Sequence, residues 1–223
     1  MESLIAATAL FLGMHWIVSG SPLRGVIVAR MGEGPFKAVF ALTITVSIVW
    51  MGWAYAHAPY VQTWGTAAGL KPVSWVLMAL AFAMFGASAT DKNPTTLGRV
   101  PPDQVEARGM VRITRHAGLF GLGLWGLAHF IVNGDWASHL LFGSFAFQGL
   151  IAPLNLDRKY RRRYGAAWEV FARQTSYVPF VAIAQGRNRL APGEINWIAV
   201  AVALGLYALT FAYHQAWFGA SAW

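Results

Sequence analysis

The residues able to do chemistry in this chain are histidines set into apolar sequence. Of the six, His15, His116 and His129 fall within or close to hydrophobic stretches, whereas His57, His139 and His214 sit near the ends of such stretches. An ionisable group in an apolar layer is costly without a partner and so marks a functional candidate, and neutral imidazole is the usual protein ligand of haem iron. With no cysteine in the chain, thiolate metal sites, cysteine nucleophiles, structural disulfides and c-type haem attachment are excluded. Any metal then relies on His, Met or oxygen ligands. His57, His139 and His214 read more simply as hydrogen-bonding residues of an interface.

Spacing restricts how these groups can cooperate. His116 and His129 share one stretch and lie 13 residues apart, which at about 100° per residue turns them by roughly 220°. They face nearly opposite sides of a helix and are poor partners for one metal. His15, in LFLGMHWIVSGSPLR, is toward the end of the first apolar stretch that adjoins a basic loop, while His129 is toward the opposite end of its own stretch. As axial ligands of one haem iron, His15 and His129 require a tilted macrocycle or offset helices; His15 and His116 are closer in depth and form the second pairing. Gly118, Trp125 and Gly126 share the His129 face, where small residues admit a neighbouring helix or a flat macrocycle. Arg112 and Arg115, or Arg24 and Arg30, are placed to reach haem propionates through charge-assisted hydrogen bonds, or lipid phosphates.

The elements that must position these residues are membrane helices. The 223 residues are 57% hydrophobic and 12% charged, a balance far from that of soluble domains. Apolar runs near 3–19, 37–57, 73–89, 115–133, 136–153 and 195–217 are each about long enough to cross roughly 30 Å of hydrocarbon. An all-α polytopic membrane helix bundle of about six spans follows, as a single domain over 1–223, with a basic segment at 154–194 before the last span. The stretch Glu2 to Val18 lacks the basic start of a signal peptide and reads as a retained first span. Trp53, Tyr55, Trp64, Trp75, Trp136, Tyr213 and Trp217 suit interfacial anchors.

Charge sets the orientation. Sixteen of the seventeen Lys and Arg residues, Arg99 among them, fall in the segments after spans one, three and five; Lys71 is the exception. The positive-inside rule then puts those three loops in the cytoplasm and both termini outside. The net charge of +8 is interleaved with apolar runs, which points to anionic membrane lipids as partners and away from nucleic acid. Ser21 to Met31 is expected to form a short interfacial helix begun by Ser-Pro. The segment DRKYRRRYGAAWEVFARQTSYVPF is expected to form an amphipathic surface helix ending before Pro179, and the proline-bearing connection after span three to fold over the cytoplasmic mouth.

Three segments carry a family resemblance: FLGMHWIVSGSPLR, the following MGEGPFKAVFALTITVSIVWMGW, and RHAGLFGLGLWGLAHFIVNGDWASHLLFGSF. Over roughly residues 5 to 150 the chain resembles the NnrU family, except that Ala117 stands where the family has proline after Arg-His. The resemblance implies haem b held by His15 and His129, with His116 matching a further functional histidine. It also implies redox-dependent cis-trans isomerisation of a carotenoid-like polyene, or a role in nitrogen-oxide metabolism in a bacterial inner membrane.

A second resemblance belongs to another chemistry. Arg115-His116, a Gly-rich span and RRRYGAAWEVFARQTSYVPF are similar to membrane methyltransferases of the isoprenylcysteine and phospholipid type, which implies S-adenosylmethionine binding by His116, Tyr164 and Glu169. A third reading is a non-catalytic subunit or assembly factor, whose small residues and eleven tryptophans pack against a membrane protein partner.

Overall fold

A backbone crossing lipid must satisfy its own N–H and C=O groups, and long unbroken apolar runs do so as helices. The computed structural model describes residues 1–95 and 100–222 and is an all-α membrane helix bundle. Arg99 lies outside the described residues. In chain order the elements are α1 (Glu2–Gly13), continued by a π-helical stretch (Met14–Ser19), then α2 (Leu23–Met31), α3 (Glu33–Ala56), β1 (Gln62–Thr66) and α4 (Lys71–Ala89). The turn α5 (Met110–Ile113), α6 (Ala117–Val132), β2 (Asn133–Asp135), α7 (Trp136–Leu150), α8 (Ala152–Tyr164), α9 (Ala166–Gln174), the turn α10 (Val181–Ala184) and α11 (Trp197–Phe218) follow.

Among the described residues five segments are long and apolar enough to cross a membrane: Glu2–Ser19, Glu33–Ala56, Ala68–Ala89, Trp136–Tyr164 and Trp197–Phe218. Within Trp136–Tyr164, the charged run Asp157 to Arg163 is too costly to bury in hydrocarbon, so the crossing part is α7 with the start of α8. The sixth expected span, α6, has only 16 residues, about 24 Å of helix. It starts at Ala117 because Thr114 is extended and His116 is outside helical geometry.

This short helix is the innermost one, packed between α4 and α7. Its glycines make that possible. A Cβ on Gly126 would fall 2.5 Å from the Ala146 amide nitrogen and 2.7 Å from the Phe142 carbonyl, and one on Gly149 would strike the Gly123 backbone. The α6–α7 seam is thus backbone against backbone. Elsewhere Leu4, Ala7, Phe11, Met51, Ala54, Ala137, Leu141 and Phe142 form a core among α1, α3 and α7. The outer faces stay apolar and exposed: Ile198 is 79% and Val49 68% accessible, as helices that face lipid require.

At the end away from the basic loops, β1 and β2 pair antiparallel, with Gln62 opposite Asp135 and Thr66 opposite Asn133. Asp135 then caps α7, accepting from the Ser138 amide at 2.9 Å and its hydroxyl at 2.6 Å. The Asn-Gly-Asp loop therefore has a structural duty: it ties two loops together and starts a span.

Candidate functional site

The candidate residues divide between two ends of the bundle. At the basic end, Arg115 and His116 enter α6 and meet Asp157 from α8, the one acid in a run of bases. The carboxylate accepts from Arg115 Nε at 3.0 Å and from Arg115 Nη2, and its Oδ1 lies 2.7 Å from His116 Nε2. All three side chains are withdrawn from solvent, at 11% exposure for Arg115, 13% for Asp157 and 0% for His116. The Arg115 guanidinium also lies over the buried Trp168 ring, 5.8 Å from its centroid.

The backbone here is fully engaged. Arg115 N donates to Ser176 O at 3.0 Å, Arg115 O accepts from Asn93 Nδ2 at 2.8 Å, and Thr114 Oγ1 donates to Tyr177 O at 2.7 Å. With Asp157 ionised beside Arg115, the His116 Nε2 position carries the proton. His116 Nδ1 has no hydrogen-bond partner among the described residues; a proton there would be a buried orphan donor, so Nδ1 presents its lone pair. The arrangement fixes one tautomer and holds an acceptor ready for a donor or a proton. Burial and the Asp157 carboxylate push the Tyr177 phenol above its ordinary value.

Arg112 is occupied elsewhere. Its Nε and Nη2 donate to the two Glu194 oxygens at 2.7 and 2.9 Å, and Nη1 to Asn188 Oδ1 at 2.7 Å. This fork, together with the Gly109 amide at 3.0 Å, holds the Glu194 carboxyl down to about 2. Arg112 and Arg115 are thus both committed to carboxylates of this chain.

His15 and His129 lie in the spans. His15 stands in the π-helical stretch, a backbone irregularity frequent at functional sites. Its Nδ1 donates to Phe11 O at 2.8 Å, which leaves Nε2 for a ligand. His129 does the same with Trp125 O at 2.9 Å. Both rings are half-buried among aromatics, His15 against Phe11 and Phe40, His129 against Phe142 at 4.6 Å. The exposed His57 makes the identical bond to Trp53 O, so that bond alone does not single out a ligand.

The two rings are not neighbours: Phe11, Phe145 and Trp125 form a chain of ring contacts between them. The ring that faces His129 is His214 of α11, centroid to centroid 6.4 Å, with its Nδ1 at 2.7 Å from Ala220 O. Two imidazoles ligating one ion from opposite sides at about 2 Å have centroids about 6 Å apart. His214, read from sequence as an interfacial residue, and Asp157 are the members that spacing did not reveal. Tyr164 packs on Tyr160, and Glu169 pairs with Arg161 at 2.6 Å on an exposed surface, so neither is joined to His116.

Comparison with known proteins gives this bundle a lineage. Two curated relatives are named "15-cis-zeta-carotene isomerase, chloroplastic". The protein from Zea mays is 28% identical over 165 residues, 72% of this chain and 45% of the relative. The one from Arabidopsis thaliana is 29% identical over 192 residues, 83% of this chain and 52% of the relative. The chain spans about half the length of these relatives. No solved structure matches it. The sequence profile described as "NnrU protein" matches residues 3–222, and with nearly its whole length matched, the chain belongs to the NnrU family.

Proposed function

We propose that this protein is a membrane-embedded cis-trans isomerase acting on an apolar conjugated polyene of the 15-cis-zeta-carotene type, with haem b as its cofactor. The observation that carries the reading is the kinship with two proteins of that name, combined with imidazoles placed inside the apolar layer. A substrate of this kind dissolves in the bilayer, and a protein whose lipid-facing sides are bare apolar helix receives it from the side.

Each imidazole suits a haem iron by its chemistry, while Phe11, Phe145 and Trp125 lie between the two rings in this structure, so ligation of one iron by both requires their helices to shift. His15 and His129 are half-buried, each with Nδ1 tied to a carbonyl four residues back and Nε2 left for iron, the orientation that a backbone partner imposes on a ligating histidine. When bound, haem b would supply a redox-active iron able to act on a conjugated double bond. Trp125, Phe142 and Phe145 pack in and next to the His129 surround, where they would exclude water and offer flat surfaces to a macrocycle or polyene. At the basic end, His116 holds its tautomer through Asp157 and serves as a hydrogen-bond acceptor within that enclosed cap. By the charge rule the basic end is cytoplasmic and both termini are outside.

The test is an assay with haem-loaded protein in lipid, a 15-cis polyene as substrate, and chromatographic separation of isomers under oxidising and reducing conditions. Isomerisation that depends on redox state supports the proposal. No isomerisation in either state, with haem bound, rejects it.

A further inference from the structure

The basic end contains a second charged site, separate from the Arg115–Asp157–His116 cluster. α8 folds against the junction between α1 and α2, where Gly20 lies so close to Asn155 that a Cβ would fall 2.7 Å from its Nδ2. That fold brings Lys159 onto Ser19, with Nζ at 3.4 Å from Oγ, the one hydrogen bond the ammonium makes among the described residues. Arg163, one turn further along α8, together with Arg24 and Lys37 acts on Lys159 as like charge, and Glu33 is the opposing carboxylate. Glu33 is already shared, at 2.6 Å from Arg24 and 3.4 Å from Lys37. Of the four cations only Arg24 and Lys37 reach Glu33 within 4.0 Å, and the five groups together carry an excess of three positive charges.

Buried or half-buried charges in proteins are ordinarily paired. The Lys159 side chain is half-buried, yet no salt bridge within 4.0 Å reaches it among the described residues. Burial together with Arg24 and Arg163 lowers its ammonium from the ordinary value to about 8, the response of a cation that lacks an anion. Position narrows the missing group. The site lies between the short helix α2 and the amphipathic α8, just past the apolar ends of α1 and α7, at the depth of headgroups. Lys and Arg clustered there favour phosphate oxygens.

We propose that Ser19, Arg24, Lys37, Lys159 and Arg163 form a binding site for a phosphate group, carried by an anionic lipid headgroup or by a soluble phosphate. The bound anion locks α8 to the α1–α2 junction, and so couples the cap that holds His116 to the helix that carries His15.

The full chain in detergent, melted in the presence of phosphatidylglycerol, of phosphatidylcholine, or of inorganic phosphate, tests this. At ten times its Kd the anionic lipid should raise Tm by about 4 °C over the zwitterionic one. The increment should vanish in Lys159→Met, or in Arg163→Gln if the first variant fails to fold, and persist in Arg162→Gln, an exposed base outside the cluster. A Lys159-dependent shift with inorganic phosphate assigns the site to soluble phosphate, and a shift with phosphatidylglycerol alone assigns it to lipid; both support the site. No difference between the two lipids, an increment that survives loss of Lys159 and Arg163, or one that Arg162→Gln abolishes equally overturns it.

Discussion

The two ends of this bundle hold their polar residues by opposite means. At the basic end two clusters, Arg115–Asp157–His116 and Arg112–Glu194, are each locked by charge-assisted bonds of 2.7 to 3.0 Å, with short segments of α5, α8, α9 and α10 wrapped around them. Toward the far end His129 and His214 have a single backbone tether each and otherwise sit among aromatic rings. The first region spends its charges on itself and keeps one open nitrogen, His116 Nδ1. The second has no charge pairing among the described residues and leaves the Nε2 atoms of its imidazoles open to a ligand.

The sharpest way to break that contrast is to remove the acid at the basic end. Asp157→Ala leaves Arg115 as a buried charge without its partner, an expected loss of about 3–5 kcal/mol, read by thermal unfolding in detergent. A loss under 1 kcal/mol would mean that the two ends are held alike. On the α6–α7 seam that joins the two ends, Gly149→Leu forces a side chain into the Gly123 backbone, with an expected cost of about 1–3 kcal/mol. If it melts like the parent protein, helix seams are not what supports the central span.

A smaller effect separates the ends by pH. Glu194 has its carboxyl held from the ordinary 4.5 down to about 2 by Arg112 and the Gly109 amide. A depressed carboxyl stabilises the fold fully above 4.5, and that contribution is lost as pH falls toward 2. Tm should therefore decline across that window and decline less in Glu194→Gln; parallel curves for the two proteins would contradict the assignment.

The spans were legible in the sequence because lipid admits so few backbone solutions. Long apolar runs located α1, α3, α4, α7 and α11, and the Ser-Pro start announced a helix over Ser21 to Met31, which forms as Leu23–Met31. The amphipathic segment after α7 was foreseen as one helix, but Gly165 at φ +51° divides it into α8 and α9. The pairing of β1 with β2 was not legible, since neither strand alternates and both are short. Asp157 was hidden in a run of bases; its partner Arg115 is 42 residues away, and only the fold of α8 back onto the start of α6 joins them. His214 escaped for the same reason: its meeting with His129 depends on how α11 packs, which no local pattern records.

An oxidised-minus-reduced absorption spectrum of the purified protein, with a pyridine-haemochrome assay, tests most directly the proposed binding of haem b through His15 and His129. The expected result is a Soret band with sharp reduced α and β bands, weakened or shifted in His15→Ala and His129→Ala and unchanged in His57→Ala, whose ring makes the same backbone bond on an exposed surface. Absence of haem after expression with haem precursor, or equal effects of all three substitutions, would contradict the account.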